Sequence, residues 1–222
     1  VLIMKRLLMD ELIEWKDSAK RKPLLLQGAR QVGKTWLMQE FGSQYFDNVA
    51  YINFDRNEQA KSIFDGDFKT ERILIAINAL TGVRIEPEKT LIILDEVQEA
   101  PRAISSLKYF CENAREYAII ASGSFLGIAM HAGISYPVGK VDLKTLYPMS
   151  FREFLLANEV SNLLSVLDDE LYDIAAIFSS DYEMWLKRYL YIGGMPEVVA
   201  DFVEHHDFTS VRRIQKDILA MY

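Results

Sequence analysis

One segment near the N-terminus constrains the fold of this 222-residue chain more than any other. The apolar run Leu24-Leu-Leu26 precedes Gly28-Ala-Arg-Gln-Val-Gly-Lys-Thr35, and apolar residues at helical spacing follow it. This order predicts a strand, a glycine-rich loop and a helix, which is the context that the phosphate-binding pattern G-x-x-x-x-G-K-[ST] requires. The sequence therefore predicts an α/β fold of the P-loop type that holds a nucleoside triphosphate.

Each part of this loop has a predicted role. The glycines let the backbone curl so that its N–H groups point at phosphate oxygens, and the start of the helix adds the positive end of its dipole. Lys34 would place its charge on the β- and γ-phosphates, and the Thr35 hydroxyl would ligate Mg²⁺. Arg30 either touches phosphates or faces solvent. The residues expected to hold the nucleotide are Gly28, Ala29, Arg30, Gln31, Val32, Gly33, Lys34 and Thr35.

A second motif turns triphosphate binding into an expectation of hydrolysis. Leu91-Ile-Ile-Leu-Asp95-Glu96 is a short apolar run that ends in two carboxylates. Such a run fits a central parallel strand, and ligand sites gather at the carboxyl ends of these strands. Asp95 would then face the Mg²⁺ held by Thr35, and Glu96 would polarise the attacking water. The alternative is that the two acids open a solvated loop.

Composition excludes several classes of protein. Half of the residues are apolar and the net charge is −7, so we expect a soluble chain with a proper core and without a general nucleic-acid-coating surface. No apolar run is long enough to span a bilayer and no signal-peptide pattern is present, so we expect no membrane association. The single cysteine, Cys111, excludes an internal disulfide. It is predicted to lie in the core or on a helix face in a reducing cytoplasm.

The order of patterns along the chain predicts its organisation. Strand and helix patterns alternate up to about residue 146, which favours a parallel five-stranded sheet with right-handed crossovers. After residue 150 only helical patterns remain, including one over 162–178. We therefore expect a P-loop ATPase core over residues 1–149 and a small α-helical lid subdomain over 150–222. The helical pattern at the C-terminus lacks a stop signal, which favours a longer native protein.

Other polar groups could complete the site. Ser122-Gly-Ser124 follows the fourth predicted strand, so a hydroxyl there, Ser124 ahead of Ser122, could bond the γ-phosphate or the attacking water; a helix cap is the alternative. Gln98 could support the site from behind, or be a surface residue. Asp55 ends the second strand at the same sheet end. The turn before Pro196 either closes over the adenine ring or only joins two helices.

With these motifs, the chain resembles a prokaryotic family of AAA-type P-loop ATPases that carry a C-terminal domain of unknown function. That family is similar to origin-recognition and signal-transduction ATPases. The resemblance implies that Glu96 is the catalytic base, Ser124 the first sensor and Pro196 an adenine neighbour. The segments that carry it are Gly28 to Thr35, Leu94-Asp-Glu-Val-Gln98, Ser122-Gly-Ser124, Leu146-Tyr-Pro-Met-Ser-Phe-Arg-Glu-Phe154 and Tyr191-Ile-Gly-Gly-Met-Pro196.

Two departures from the family pattern bear on function. Lys140 stands where family members usually have an arginine finger for a neighbouring subunit, and lysine cannot form the bidentate fork of arginine. Activation of a neighbour through Lys140 is therefore not expected. The C-terminal domain of the family is also expected to be missing from this chain, together with whatever ATP turnover drives.

Three hypotheses follow for function. The first is Mg²⁺-dependent ATP binding and hydrolysis that drives a conformational change in an attached domain. The second is a nucleotide-gated interaction module with little turnover. The third is a DNA-acting ATPase, suggested by basic residues at 20–22 and by Arg212 and Arg213. ATP is expected rather than GTP because no Asn-Lys-x-Asp segment is present, and the Leu-Ser-Gly-Gly-Gln signature of transporter ATPases is absent too.

Overall fold

The computed structural model describes residues 5–124 and 137–221. The chain divides into two compact units. The first is Leu8–Leu146, and the second combines the residues before Leu8 with those from Tyr147 onward. A boundary between folding domains at residues 149 and 150 stays a prediction.

The first unit is built on a parallel five-stranded sheet with the strand order β2-β3-β4-β1-β5. Every residue of β3 and β4 is buried, as expected for central strands covered on both faces. The predicted P-loop α/β fold with a five-stranded parallel sheet is therefore confirmed. The strands are β1 (Leu24–Gln27), β2 (Asn48–Asn53), β3 (Thr90–Asp95), β4 (Ala118–Gly123) and β5 (Asp142–Thr145).

Helices connect β1 to β2, β2 to β3 and β3 to β4, and local sequence sets their ends. Pro101 starts one helix at the position where its missing N–H costs nothing. Gly82 ends another in the left-handed conformation, with φ 70°. Among the described residues of this unit, the helices are α1 (Leu8–Asp17), α2 (Lys34–Tyr45), α3 (Glu58–Ser62), α4 (Thr70–Thr81) and α5 (Pro101–Asn113), and Val97–Glu99 forms a 3₁₀ turn.

The strand order places three chain segments side by side at one end of the sheet. β4 pairs with β1 up to the match of Gly123 with Gln27, and β3 pairs with β4 up to the match of Leu94 with Ala121. Because all the strands are parallel, the residues that follow β1, β3 and β4 leave the sheet at the same end. The candidate loop follows β1, Asp95 and Glu96 lie at the end of β3, and the two serines lie at the end of β4.

The second unit is helical, as predicted, around a core that contains Phe154, Val198 and Phe202. One detail differs from the expectation for 162–178, since this stretch forms two helices. Its backbone leaves the helical conformation at Glu170, where φ is 56°. The helices are α6 (Phe151–Ala157), α7 (Ser161–Asp168), α8 (Tyr172–Ile177), α9 (Ser179–Ile192), α10 (Pro196–His205) and α11 (Phe208–Ala220).

Candidate functional site

Two glycines of the loop have backbone reasons to be glycine. A Cβ atom on Gly28 would lie 2.3 Å from the carbonyl oxygen of Leu146, which no side chain tolerates. Gly33 has φ 91° immediately before α2, a left-handed conformation that favours glycine. The loop can therefore pass close to the end of β5 and then start the helix without strain.

Lys34 is the first residue of α2, and its ammonium group lies within the loop. The Nζ atom donates to the carbonyl oxygen of Gly28 at 2.9 Å, to that of Ala29 at 2.8 Å and to Ser124 Oγ at 3.0 Å. Burial lowers the pKa of Lys34, and the charge of Arg30 adds to this effect, while Glu96 and Asp95 oppose it. The lysine is thus surrounded by neutral acceptors that a charged phosphate could replace.

Asp95 is the last residue of β3 and gathers hydrogen bonds from several segments. The residue is buried, with an exposed fraction of 1%. The donors to Asp95 Oδ2 are Thr35 Oγ1 at 2.7 Å and the Tyr51 hydroxyl at 3.0 Å, and the donors to Oδ1 are Ser122 Oγ and the backbone N–H of Glu96 at 3.0 Å. The two residues predicted to hold Mg²⁺ therefore lie in direct contact.

The two serines after β4 have different partners. Ser122, fully buried within the strand, donates to Asp95, whereas Ser124 accepts from Lys34. Ser124 is thus the serine beside the group expected to touch the γ-phosphate. Its predicted sensor role stays a prediction.

Glu96 follows Asp95 in a left-handed backbone conformation, with φ 56° and ψ 44°. The side-chain amide of Gln98 donates to Glu96 Oε2. Among the described residues Gln98 Oε1 has no hydrogen-bond partner, although it is buried. Gln98 is therefore half-buried and contacts the predicted base directly.

The remaining candidates lie in varied places. Asp55 is exposed just after β2, and Arg30 and Gln31 are exposed on the loop, whereas Val32 is fully buried. Lys140 Nζ pairs with Glu112 Oε1 at 2.8 Å on α5, and this contact raises the pKa of Lys140. The structure therefore brings together Lys34, Thr35, Asp95, Glu96 and Ser124, while Lys140 is engaged elsewhere.

Tyr51 was not among the residues predicted from the sequence. It lies on β2, where Tyr51 is matched with Ile93 and Asn53 with Asp95. Burial raises the pKa of Tyr51, and the neighbouring carboxylate of Asp95 contributes. The sequence predicted a second strand that ends at Asp55, but only the strand order places its tyrosine beside Asp95.

Pro196 lies in the second unit, where it is the first residue of α10. The segment before it is fixed by close backbone contacts, since a Cβ atom on Gly194 would lie 2.2 Å from the carbonyl oxygen of Met149. The backbone N–H of Met149 also donates to Gly194 O at 2.6 Å. Two of the segments quoted for the family resemblance thus bind each other. A role for Pro196 beside adenine stays a prediction.

The basic residues at 20–22 do not form a three-cation surface. The side chain of Arg21 is buried and donates to both carboxylate oxygens of Glu88, at 3.0 and 3.1 Å. Arg212 lies over the ring of Tyr191, 5.0 Å from its centroid. No helix in the described part of the chain is long and apolar enough to cross a membrane.

Comparison with known proteins adds to this geometry. A family model described as an AAA domain matches residues 20–155, more than half of the chain. An uncharacterized protein of Methanocaldococcus jannaschii is 26% identical over 209 residues, which cover 88% of this chain and 42% of the relative. The chain thus spans less than half of the length of the curated relative that it matches.

Solved structures with a similar architecture show low sequence identity. A RuvB variant of Thermotoga maritima is 16% identical, with a TM-score of 0.45 over 72% of this chain and 50% of that one. The PCH-2 protein of C. elegans is 17% identical, with a TM-score of 0.44 over 79% and 49%. The ORC2 protein of Aeropyrum pernix in its ADP form is 18% identical, with a TM-score of 0.42 over 68% and 49%.

Proposed function

Because the chain belongs to the AAA domain family, we propose that it binds ATP and hydrolyses it with Mg²⁺, and that turnover changes the conformation of an attached domain. The observation that carries the proposal is the cluster at one end of the sheet. There Lys34 contacts Ser124, and Thr35 contacts Asp95. These are the groups that phosphoryl transfer requires for positioning and charge stabilisation.

When the loop binds a nucleotide, phosphate oxygens would replace the backbone carbonyl oxygens that now accept hydrogen bonds from Lys34. Its ammonium group donates to the neutral carbonyl oxygens of Gly28 and Ala29. Phosphate oxygens carry negative charge, so they attract the ammonium group by a charge–charge interaction that a neutral carbonyl oxygen lacks. We therefore expect the β- and γ-phosphates to replace these carbonyls on Lys34. Ser124, which already touches Nζ, would then lie beside the γ-phosphate.

Thr35 and Asp95 fit a magnesium site. A hydroxyl and a carboxylate supply the oxygen ligands that Mg²⁺ prefers. Their present hydrogen bond joins the two oxygens at 2.7 Å, so both already point to one place. When bound, the ion would neutralise charge that builds up on the phosphates. Tyr51 and Ser122 would keep the Asp95 carboxylate in position.

Glu96 is the proposed general base. Its carboxylate would accept a proton from the water that attacks the γ-phosphate, a step worth roughly 10²–10⁴ in rate. Its backbone conformation is one that few residues other than glycine adopt, so the direction of its side chain is set by the turn after β3. Gln98 holds one of its oxygens and would set how freely Glu96 reaches the water.

A nucleotide-gated module with little turnover is the second candidate. Two observations favour it, the Gln98 contact on Glu96 and the pairing of Lys140 with Glu112. The contact of Gln98 would hinder proton transfer to Glu96. The ion pair with Glu112 engages Lys140, which stands at the position where related proteins have an arginine finger. In this alternative, bound nucleotide would change the affinity for a partner without rapid hydrolysis.

The test is phosphate release from Mg-ATP, with nucleotide binding measured in parallel. We compare the chain with Glu96→Gln, Lys34→Ala and the matched control Glu99→Gln, which changes an exposed glutamate on the neighbouring turn. Hydrolysis is supported if Glu96→Gln binds ATP without turnover, Lys34→Ala loses binding and Glu99→Gln behaves as the parent. Unchanged phosphate release in Glu96→Gln would contradict the assigned base. Tight binding without turnover in the parent chain would favour the gated module.

The proposed partners are ATP and ADP, and an attached domain in the part of the relatives that this chain does not cover. A cytoplasmic location is also proposed, consistent with the single buried Cys111. DNA is a weaker candidate partner. Added DNA that changes neither the rate of phosphate release nor fluorescence anisotropy at low salt would contradict a DNA-acting ATPase.

A further inference from the structure

Helix α8 (Tyr172–Ile177) has no buried residue, although its sequence YDIAAI contains little that is polar. A helix that is apolar on most of its surface is normally packed inside a protein. Here Tyr172 has an exposed fraction of 66% and Ile177 one of 74%. The proposed ATP site uses none of these residues, so their exposure needs another explanation.

The apolar surface continues beyond the helix itself. The large apolar side chains exposed in this stretch are Leu171, Tyr172, Ile174, Ile177 and Phe178. Ile174, Ile177 and Phe178 are three and four positions apart, the spacing at which side chains share one side of a helix, and Leu171 and Tyr172 adjoin them in the chain. Contiguous exposed apolar patches rimmed by polar residues mark interaction sites in soluble proteins. We call residues 168–183, which contain this surface, the acidic apolar face.

The charge on this face has one sign. No lysine or arginine lies between Arg152 and Lys187. Arg152 pairs with Asp168, the first acid of the face, and Lys187 Nζ pairs with Oε1 of Glu183, the last acid, at 2.6 Å. Within the described ranges, the four acids between them form no salt bridge. The acids of the face are Asp168, Asp169, Glu170, Asp173, Asp181 and Glu183.

We propose that the acidic apolar face binds a basic amphipathic helix of a partner protein. Such a helix presents an apolar stripe, which the exposed side chains of 171–178 would bury, and flanking lysine or arginine side chains that complement the unpaired acids. Nucleic acid and anionic lipid carry the same sign of charge as this face and would be repelled. A second copy joined through the same face would bring the acids of both chains together.

The probe is a labelled synthetic helix of leucine and lysine at amphipathic spacing, with a control peptide in which glutamate replaces lysine. Binding is measured by fluorescence anisotropy at low and high salt. We expect the lysine peptide to bind the chain, more weakly at high salt, and the glutamate peptide not to bind. Ile177→Ser and Asp173→Asn should each weaken binding by about five- to tenfold, since each removes one of the two attractions.

Matched controls lie on helix α4 (Thr70–Thr81), which also exposes an acid and an apolar residue one turn apart. Ile75, with an exposed fraction of 71%, is the counterpart of Ile177, and exposed Glu71 is the counterpart of Asp173. Ile75→Ser and Glu71→Gln should leave peptide binding unchanged. All four positions are exposed, so circular dichroism should show that each variant folds as the parent does.

Three results would overturn the proposal. One is equal weakening by the α4 variants, because binding would then be a general property of an acidic protein. Another is unchanged binding in both Ile177→Ser and Asp173→Asn. The third is a concentration-dependent dimer in sedimentation that Ile177→Ser converts to a monomer, since the face would then be covered by a second copy. The proposal is supported if the lysine peptide binds the parent chain and the α4 variants, and binding is weakened only in Ile177→Ser and Asp173→Asn.

Discussion

At the scale of single residues, Tyr51 belongs to the candidate site although it lies outside the sequence motifs that define it. Its hydroxyl donates to the carboxylate oxygen of Asp95 that Thr35 also contacts, while Ser122 approaches the other oxygen from the neighbouring strand. In the proposed magnesium site, groups that orient the Asp95 carboxylate in this way would contribute to metal affinity without touching the metal.

Tyr51→Phe should therefore weaken the magnesium-dependent part of nucleotide binding by roughly tenfold, because the Asp95 carboxylate loses one of its fixed partners. Nucleotide binding in the presence of a chelator should not change. Titration calorimetry with and without Mg²⁺ measures both quantities. Tyr45→Phe, at the end of α2, is the control, and an equal effect in the two variants would contradict a specific role for Tyr51.

Lys34 gives a prediction about pH. Burial holds its pKa below the ordinary value of 10.5, and phosphate charge would raise the pKa again. Binding should therefore take up protons at alkaline pH, between the lowered pKa of the free loop and the raised pKa of the complex. Nucleotide affinity should fall as the pH rises through that interval. Calorimetry in two buffers with different ionisation heats measures the uptake.

A variant with a permanent charge at position 34 separates proton uptake by Lys34 from proton uptake by other groups. Arginine stays protonated throughout the accessible pH range. Lys34→Arg should thus bind nucleotide without the proton uptake, even if more weakly. The same uptake in Lys34→Arg as in the parent chain would assign the proton to another group.

Sequence spacing was sufficient for the residues that lie next to one another in the chain. Lys34 and Thr35 are placed by a local loop and helix start, and Asp95 and Glu96 by the end of one strand. Tyr51 was not predicted from the sequence, and for Gln98 the sequence left two alternatives open. The position of Tyr51 depends on which strands are neighbours, and that of Gln98 on the short 3₁₀ turn that directs its side chain back to Glu96.

At the scale of elements, the start of α6 shows how one buried acid fixes a helix. Ser150 and Glu153 form a capping box, and Glu153 Oε1 also accepts from Arg6 Nε and from the backbone N–H of Leu7, both at 2.9 Å. Burial alone would raise the pKa of Glu153. The hydrogen bonds and the charge of Arg6 outweigh it, so the pKa lies below its ordinary value of 4.5.

This shift predicts how stability depends on pH. A carboxyl group whose pKa is lowered in the folded state stabilises the protein fully when the pH is above its ordinary pKa. This stabilisation is lost as the pH falls through the lowered pKa of the folded state. The free energy of unfolding in urea should therefore drop below pH 4.5. The drop should be smaller in Glu153→Gln, which has no proton to gain. An identical drop in the two proteins would remove Glu153 from the explanation.

Gly194 predicts a steric effect in the same unit. A methyl group there would lie 2.2 Å from a backbone oxygen that cannot move alone. Gly194→Ala should thus lower the free energy of unfolding by about 1–3 kcal/mol, the usual cost of overpacking. Gly66→Ala is the matched control, because the atoms nearest to its new methyl belong to the Arg72 guanidinium, at 3.1 Å, and not to the backbone. Chemical unfolding measures both, and equal losses would contradict the steric cause.

The elements also show where periodicity fails. Residues 162–178 keep apolar residues at helical spacing, and that spacing predicted one helix. The break lies in the backbone at Glu170, a residue type that signals no stop. By contrast, proline and glycine are residue types that signal helix boundaries, and a helix begins at Pro101 and another ends at Gly82.

At the scale of the whole molecule, nucleotide should stabilise the fold because its site is drawn from segments far apart in the chain. A ligand at about 100 times its dissociation constant adds about 2.7 kcal/mol to the free energy of unfolding. Mg-ATP should therefore raise the melting temperature of the parent chain and of Lys140→Ala, but not of Lys34→Ala. A shift that persists in Lys34→Ala would place the nucleotide elsewhere.

The four donors that meet on Asp95 have a consequence for genetics. Replacing this carboxylate would leave two hydroxyls on neighbouring strands, a helix hydroxyl and a backbone N–H without their common acceptor in a buried place. Inactive alleles at Asp95 would therefore include proteins that never accumulate in the cell. Alleles at Glu96, which lies at the half-buried turn outside the strand, would instead give inactive protein at normal abundance.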